Sequence, residues 1–111
     1  MKCGIGRLDF NEKGKYFGNF QHGKRHGEGI FTYPNKDVYS GMWKYGKKSG
    51  QGVYVYNDTG IKLMGEWTDG VIKKGRWILP NGVYYEGEFE NNKPTKTGIL
   101  KSHFLRADLV I

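Results

Sequence analysis

One short pattern of aromatic residues and glycines occurs four times along the chain, at steps of 23, 24 and 22 residues. Its clearest copy is Tyr39-x-Gly41-x-Trp43. In an extended strand these three residues share one face, and the glycine leaves room beside the two large rings. A polar turn from Tyr45 to Ser49, which contains Gly46, and a second strand containing Gly52 follow. The spacing therefore predicts tandem β-hairpins, a repeat architecture, rather than a helical or mixed α/β fold.

The residues that define the repeat lie in the first strand of each copy. They are Tyr16, Gly18, Tyr39, Gly41, Trp43, Gly65, Trp67, Tyr85 and Gly87. The second strand carries a Gly-x-Gly pair in the first two copies. Phosphate-binding loops also contain such pairs, but they need a third glycine and a following helix, whereas strand-forming residues follow here. We therefore interpret these glycines as structural, making room for stacked rings.

The copies divide the chain into a ribbon, residues 1–100, and a short tail. Their bounds are a half repeat at 3–15, repeats at 16–38, 39–62, 63–84 and 85–100, and a tail at 101–111. Repeats 1 to 4 denote the four full copies. Because the sequence opens in the middle of a repeat, we expect either a natural end cap or a fragment of a longer protein.

The tail leaves the pattern of the ribbon. Ser102 fits the N-cap of a short helix, in which Phe104, Leu105, Asp108 and Leu109 have helical spacing. Such a helix would either cover the open end of the ribbon or dock on a partner, and both roles remain alternatives. The expected fold is therefore all-β throughout the ribbon, followed by one short C-terminal helix.

The pattern Y-x-G-x-W-x-x-G-x-x-H-G-x-G-x-x-x-Y resembles the MORN (membrane occupation and recognition nexus) repeat. Its best match is YFGNFQHGKRHGEGIFTY at 16–33, where Phe20 replaces the tryptophan. The later copies, with YEGEF at 85–89, are most similar to radial spoke head proteins of cilia. The resemblance implies an elongated, single-layer antiparallel sheet of stacked hairpins, with two exposed edges that allow self-association.

The sequence offers no set of residues for catalysis. Cys3 is the only cysteine and has no neighbouring histidine, and His22, His26 and His103 lack zinc-site spacing. No pair of carboxylates stands out for acid–base work. We therefore expect a protein that is not an enzyme and holds no cofactor or metal. A single cysteine, no apolar run of ~18 residues and no signal-peptide start favour a cytoplasmic location.

The chain carries a formal charge of +7, and basic residues recur in the predicted hairpin turns. Because these turns should all lie along one side of the ribbon, we predict a basic stripe there that binds acidic protein tails or phosphoinositide headgroups. Its residues are Lys24, Arg25, Lys47, Lys48, Lys73 and Lys74. The alternative is that lysine simply suits exposed turns and sheet edges. Nucleic acid is not an expected partner, since the sequence has no recognised nucleic-acid-binding motif.

The face opposite the rings carries a row of apolar residues. Alternation places Ile30, Met42, Val53, Val55 and Ile78 on this face. A single-layer sheet has no second layer to bury them, which indicates a surface for a partner protein. The alternative is that they are ordinary strand formers on a half-exposed sheet.

Two functions follow as alternatives. The first is a rigid, non-enzymatic scaffold that binds other proteins of a cytoskeletal assembly, and the resemblance points to the radial spoke head of the ciliary axoneme. The second is a peripheral tether on the cytoplasmic face of a membrane, whose basic stripe engages anionic phospholipid. A third option, also implied by the resemblance, is the accessory domain of an enzyme.

Overall fold

The computed structural model describes residues 3–95, 99–102 and 108–110, and these form one open antiparallel β-sheet. Its eleven strands are β1 (Gly4–Asp9), β2 (Lys15–Gln21), β3 (Lys24–Thr32), β4 (Val38–Lys44), β5 (Lys47–Val55), β6 (Lys62–Thr68), β7 (Val71–Ile78), β8 (Val83–Glu90), β9 (Lys93–Pro94), β10 (Ile99–Ser102) and β11 (Asp108–Val110). From β1 to β8 each strand pairs with the next in sequence; β8 then pairs with both β9 and β10, and β10 with β11. The predicted all-β, single-layer architecture is confirmed.

A row of glycines crosses the sheet, one from each strand between β1 and β8. In strand order they are Gly6, Gly18, Gly29, Gly41, Gly52, Gly65, Gly75 and Gly87. A Cβ added at Gly29 would overlap the ring of Tyr16, the first-strand tyrosine of the same hairpin. The Tyr16 hydroxyl reaches past the glycine and donates a hydrogen bond of 2.8 Å to the Asn19 carbonyl. Gly29 and Gly52 are therefore structural because a tyrosine ring lies where a side chain would be, whereas a Cβ at Gly18, Gly41 or Gly65 would meet the backbone of the facing strand.

The buried side chains form a single layer on one side of the sheet, called the aromatic face. They are Tyr16, Phe20, Phe31, Tyr39, Trp43, Leu63, Trp67, Ile72, Tyr85 and Phe89. The Tyr39 ring packs edge-on against Trp43 of its own hairpin and Trp67 of the next, with centroids 5.1 and 5.4 Å apart. The Trp67 indole N–H donates to the Gly52 carbonyl of the preceding hairpin at 3.1 Å. Each hairpin is thus bound mainly to its neighbours, as in other repeat proteins.

Two-residue turns close the four hairpins. The central residues are His22-Gly23, Tyr45-Gly46, Asp69-Gly70 and Asn91-Asn92, and all have positive φ. Two positive φ values are the signature of the type I′ turn, which reverses the chain without further residues. We expected the second turn to extend from Tyr45 to Ser49, and this is wrong because β5 already begins at Lys47. The residues directly after each turn are therefore strand residues with alternating faces.

The described part of the tail is strand rather than helix. Ser102 ends β10, and Asp108 and Leu109 lie in β11. The predicted helix is wrong at these positions because the backbone of β10 pairs with β8 on one side and with β11 on the other. Phe104 and Leu105 lie outside the described residues. Strand β10 also runs across the expected boundary between ribbon and tail.

Candidate functional site

The basic residues after the first two turns point to opposite faces of the sheet. Lys24 and Lys47 are exposed, whereas Arg25 and Lys48 are half-buried against aromatic rings. Successive strand residues alternate between the faces, so one cation of each pair must turn inwards. The prediction that all these cations form a single exposed stripe is therefore wrong for Arg25 and Lys48.

The inward position is the same one in every hairpin. In the strand register Arg25 lies opposite Phe20, Lys48 opposite Trp43, Ile72 opposite Trp67, and Pro94 opposite Phe89. In repeat 3 this position is filled by Ile72, which is only 1% exposed. The position therefore belongs to the aromatic face, and the first two repeats place a cation there.

Arg25 is fully engaged by its surroundings. Its guanidinium lies over the rings of Phe31 and Trp43, 5.0 and 4.6 Å from their centroids. One of its nitrogens donates a hydrogen bond of 2.8 Å to the Gly46 carbonyl in the next turn. Burial removes water from the guanidinium and lowers the pKa of Arg25. This side chain links repeat 1 to the turn of repeat 2.

Lys48 lies among four rings. Its ammonium is 5.4 Å from the centroid of Trp67 and 5.7 Å from those of Tyr33, Tyr39 and Tyr54. It donates one hydrogen bond of 3.3 Å, to the Tyr33 hydroxyl. The pKa of Lys48 is lowered, first by burial and then by the positive charge of Arg25. Lys48 is thus a half-buried cation held mainly by cation–π contacts.

A cavity of about 180 Å³ opens beside the Lys48 ammonium. Its lining residues are Tyr33, Lys48, Tyr54, Tyr56, Trp67 and Asn92. Asn92 is fixed in orientation because its side-chain oxygen accepts a hydrogen bond of 3.2 Å from the Ile72 backbone N–H. The cavity therefore combines a cation, aromatic walls and polar groups on the aromatic face, and this combination is the candidate binding site.

Asp37 fixes one wall of this cavity. It is 6% exposed, and its carboxylate accepts hydrogen bonds of 2.8 Å from the Tyr54 hydroxyl and from the Asn57 backbone N–H. Burial raises the pKa of Tyr54, and the hydrogen bond to Asp37 raises it further. Asp37 was not predicted as a site residue. Its only sequence signal is that it precedes a strand within a polar turn.

The remaining two residues of the predicted basic stripe lie away from any turn. Lys73 and Lys74 are exposed residues within β7, and the turn before that strand is followed by Val71 instead. In the strand register Lys74 stands between Glu66 and Glu88, two exposed carboxylates. The expected placement of this pair at a turn is wrong, because the two-residue turn ends before β7 begins at Val71. The stripe is therefore interrupted in repeat 3.

The side of the sheet opposite the aromatic face, called the outer face, is apolar at one end. Ile30 and Met42 are 44% and 37% exposed, whereas Val53, Val55 and Ile78 are half-buried. Phe17 and Ile5, which the sequence reasoning missed, are 47% and 72% exposed near Ile30 and Met42. These four exposed residues line a hollow of about 500 Å³ over the glycine row. Alternation from Tyr16 would have placed Phe17 on this face.

The other end of the outer face is charged. Arg76 forms an ion pair of 2.8 Å with Glu86, and Glu66, Lys74 and Glu88 lie in the adjacent row. Opposite charges directly across neighbouring strands support the sheet and keep this end hydrated. The outer face is thus divided into an apolar half, built by β1 to β4, and a charged half, built by β6 to β8.

The described residues carry no group of three or more His, Cys, Asp or Glu side chains that could hold a metal ion. Cys3 is exposed. In the same ranges of the chain, no helix has the length and apolar character that crossing a membrane would require. The polar features of the described surface are the cavity at Lys48, the exposed lysines and the charged half of the outer face.

The structure is a single open sheet in which similar hairpins stand side by side and one glycine from each strand lines up across the sheet. This is the architecture of a repeat protein. The MORN repeat family matches residues 16–38, 39–61 and 85–95, together more than half of the chain. The chain therefore belongs to the MORN-repeat family, whose repeats are generally non-enzymatic modules for protein interaction or membrane binding. Repeat 3, in which Leu63 replaces the tyrosine, falls between the matched segments. No curated protein matches the chain.

Proposed function

We propose that this protein is a non-enzymatic, cytoplasmic scaffold that binds other proteins of a cytoskeletal assembly, such as the radial spoke head of the ciliary axoneme. One observation carries the proposal. The apolar half of the outer face exposes Ile5, Phe17, Ile30 and Met42 around one hollow, and among the described residues no second layer covers them. Contiguous exposed apolar side chains of this size are typical of protein-binding surfaces.

The rest of the sheet supports a scaffolding role. Its hairpins are joined by edge-to-face ring contacts and by indole hydrogen bonds from Trp43 and Trp67 to the preceding hairpin. A single sheet that is stabilised between neighbours in this way holds its two ends at a fixed separation along a body of 50 × 24 × 22 Å. Partners bound at different repeats would therefore keep a fixed spacing.

Site-specific photo-crosslinking tests this proposal. A photoreactive amino acid is placed at Ile30, in the apolar half, and separately at Val71, which is similarly exposed but lies at the third turn. In the cells that express the protein, we expect Ile30 to give a discrete crosslinked protein band that fractionates with the cytoskeleton, and Val71 to give none. Crosslinking to lipid from Ile30, or equal protein yields from both positions, would overturn the proposal.

A membrane tether is the second candidate, and one observation favours it. Lys24, Lys47 and Lys93 each follow a two-residue turn and are exposed, so three of the four repeats carry an outward lysine at the same position. Attraction of these lysines to anionic lipid would weaken steeply with salt, because exposed charges are screened over ~8–10 Å. Co-sedimentation with vesicles containing phosphatidylserine measures this, and Lys24→Glu with Lys47→Glu should abolish it. If sedimentation with vesicles persists unchanged in that variant, the lysines do not tether the protein.

A further inference from the structure

The groups lining the cavity at Lys48 are nearly all hydrogen-bond donors. The Asn92 side-chain oxygen is taken by the Ile72 backbone N–H, which leaves its NH₂ group for a ligand. The Lys48 ammonium donates only one of its three hydrogens, to Tyr33, and the Tyr33 hydroxyl retains its own. Within the described part of the chain, the Tyr56 hydroxyl has no hydrogen-bond partner. A cavity lined by an ammonium, an amide NH₂ and hydroxyls is complementary to an anion.

Lys48 also lacks a counterion within the described residues. The single ion pair found there joins Arg76 and Glu86, far along the sheet. Asp37 is the carboxylate associated with this cluster of tyrosines, and its oxygens are occupied by Tyr54, Asn57 and Asn35. The positive charge of Arg25 acts on Lys48 and lowers its pKa further. A half-buried charge without an opposite charge is costly, and an anionic ligand would remove that cost.

The fold itself does not require a cation at this position. In repeat 3 the equivalent residue, Ile72, packs against Trp67 and is almost fully buried. An apolar side chain thus fills the same position on the same aromatic face. In repeat 1, by contrast, the Arg25 side chain reaches the turn of repeat 2 and donates a hydrogen bond to the Gly46 carbonyl. Lys48 makes no such backbone link, so its charge is available to a ligand.

We propose that the cavity at Lys48 is a carboxylate-binding site that receives an Asp or Glu side chain from an extended segment of a partner protein. The inference rests on the proposed function, because it assumes a protein partner. The recessed position among four rings favours a side chain entering from a peptide. A membrane surface would instead meet the exposed Lys24 and Lys47 first. The carboxylate would accept from Lys48 and from the donors around it, while its methylene groups contact Trp67.

The test uses capped hexaglutamate as the probe and capped hexaglutamine as the uncharged control. Binding is followed by NMR on the Lys48 ammonium, the Trp67 indole and the Asn92 amide of the full chain. We expect shifts confined to this cluster with hexaglutamate and none with hexaglutamine. Inorganic phosphate and phosphatidylserine vesicles serve as alternative anions, and stronger binding of either at Lys48 would overturn the assignment to a peptide carboxylate.

The matched variants are Lys48→Ile, which copies repeat 3, and Lys47→Ile, which removes the adjacent exposed charge. Loss of a charged hydrogen bond predicts about tenfold weaker hexaglutamate binding for Lys48→Ile. Lys47→Ile should change it by less than about twofold, since an exposed charge is screened. Equal loss in both variants would overturn the proposal, because it would mean non-specific attraction.

Two controls keep the outcome interpretable. Lys48→Met, with a flexible side chain of similar length, replaces Lys48→Ile if the isoleucine variant does not fold, and the same tenfold loss is expected. Crosslinking from Ile30 reports the proposed scaffold function on the other face of the sheet. If hexaglutamate does not bind but crosslinking from Ile30 persists, the carboxylate site is wrong and the scaffold function stands. If crosslinking fails while hexaglutamate still binds through Lys48, the scaffold function is wrong.

Discussion

Gly29→Ala is the substitution that probes the packing of a tyrosine ring over the glycine row most sharply. A Cβ at this position would meet the hydroxyl, Cζ and Cε1 atoms of Tyr16 at distances that real atoms do not adopt. The φ of Gly29 lies outside the left-handed region, so alanine causes no backbone strain and the penalty is steric. The ring of Tyr16 must therefore move away from the glycine row.

The magnitude follows from two contributions. Overpacking in a well-packed core costs about 1–3 kcal/mol. Displacing the ring also weakens the 2.8 Å hydrogen bond from the Tyr16 hydroxyl to the Asn19 carbonyl, which contributes about 1 kcal/mol. We therefore expect Gly29→Ala to lower the free energy of unfolding by about 2–4 kcal/mol. Gly70→Ala is the control: nothing lies within 4 Å of its Cβ, and its positive φ alone costs alanine about 1–2 kcal/mol.

The assay is urea unfolding followed by tryptophan fluorescence and circular dichroism, combined with a double-mutant cycle. Tyr16→Leu removes the three ring and hydroxyl atoms that a Cβ at position 29 would meet. Leucine at position 16 should therefore relieve the contact that alanine at position 29 makes with the tyrosine. The double variant should be more stable than the sum of the single costs predicts, by at least about 1 kcal/mol. Additive costs, or equal costs for Gly29→Ala and Gly70→Ala, would refute the steric explanation.

Two further predictions concern the rings themselves. Trp43→Phe keeps a ring at this position, where repeats 1 and 4 have Phe20 and Phe89, but it loses the 3.1 Å hydrogen bond to the Gly29 carbonyl. We expect Trp43→Phe to lower the free energy of unfolding by about 1 kcal/mol and Trp43→Ala to lower it by about 3–5 kcal/mol. Urea unfolding measures both. Stability should also fall as pH rises above 10, because burial raises the pKa of five tyrosines, which hold their protons when folded and release them on unfolding. These are Tyr16, Tyr33, Tyr39, Tyr54 and Tyr56. The lowered pKa values of Lys48 and Arg25 act in the opposite sense, but they are two groups against five. Tyrosinate absorbance should therefore rise together with loss of the circular dichroism signal, and a gradual titration near pH 10 in a folded protein would contradict this.

The fold could be predicted because one pattern encodes it several times. Tyrosine, glycine and tryptophan at alternate positions, with a step near 23 residues, leave a single face for the rings and one position for each glycine. The structure adds that the glycines align across eight strands. The tail lacked such repetition. A few apolar residues at helical spacing also fit a strand, and pairing of β10 with β8 determined the outcome.

The cavity at Lys48 could not be predicted because it depends on the length of one turn. Tyr45 is not a typical residue for positive φ, so the sequence did not indicate a two-residue turn directly before Lys47. Placing Lys48 in the turn exposes it, whereas starting the strand at Lys47 turns it inwards. One signal was present: alignment of the repeats places Ile72 at the position of Arg25 and Lys48, and a buried isoleucine indicates an inward position.

Detergent extraction of the tagged protein from the cells that express it tests whether the apolar half of the outer face binds a protein assembly. We expect retention in the detergent-insoluble cytoskeletal fraction at low and raised salt, loss of retention in Ile30→Asp, and unchanged retention in the Lys24→Glu, Lys47→Glu double variant. Release of the wild-type protein with the lipids, or loss of retention in the lysine variant but not in Ile30→Asp, would contradict it.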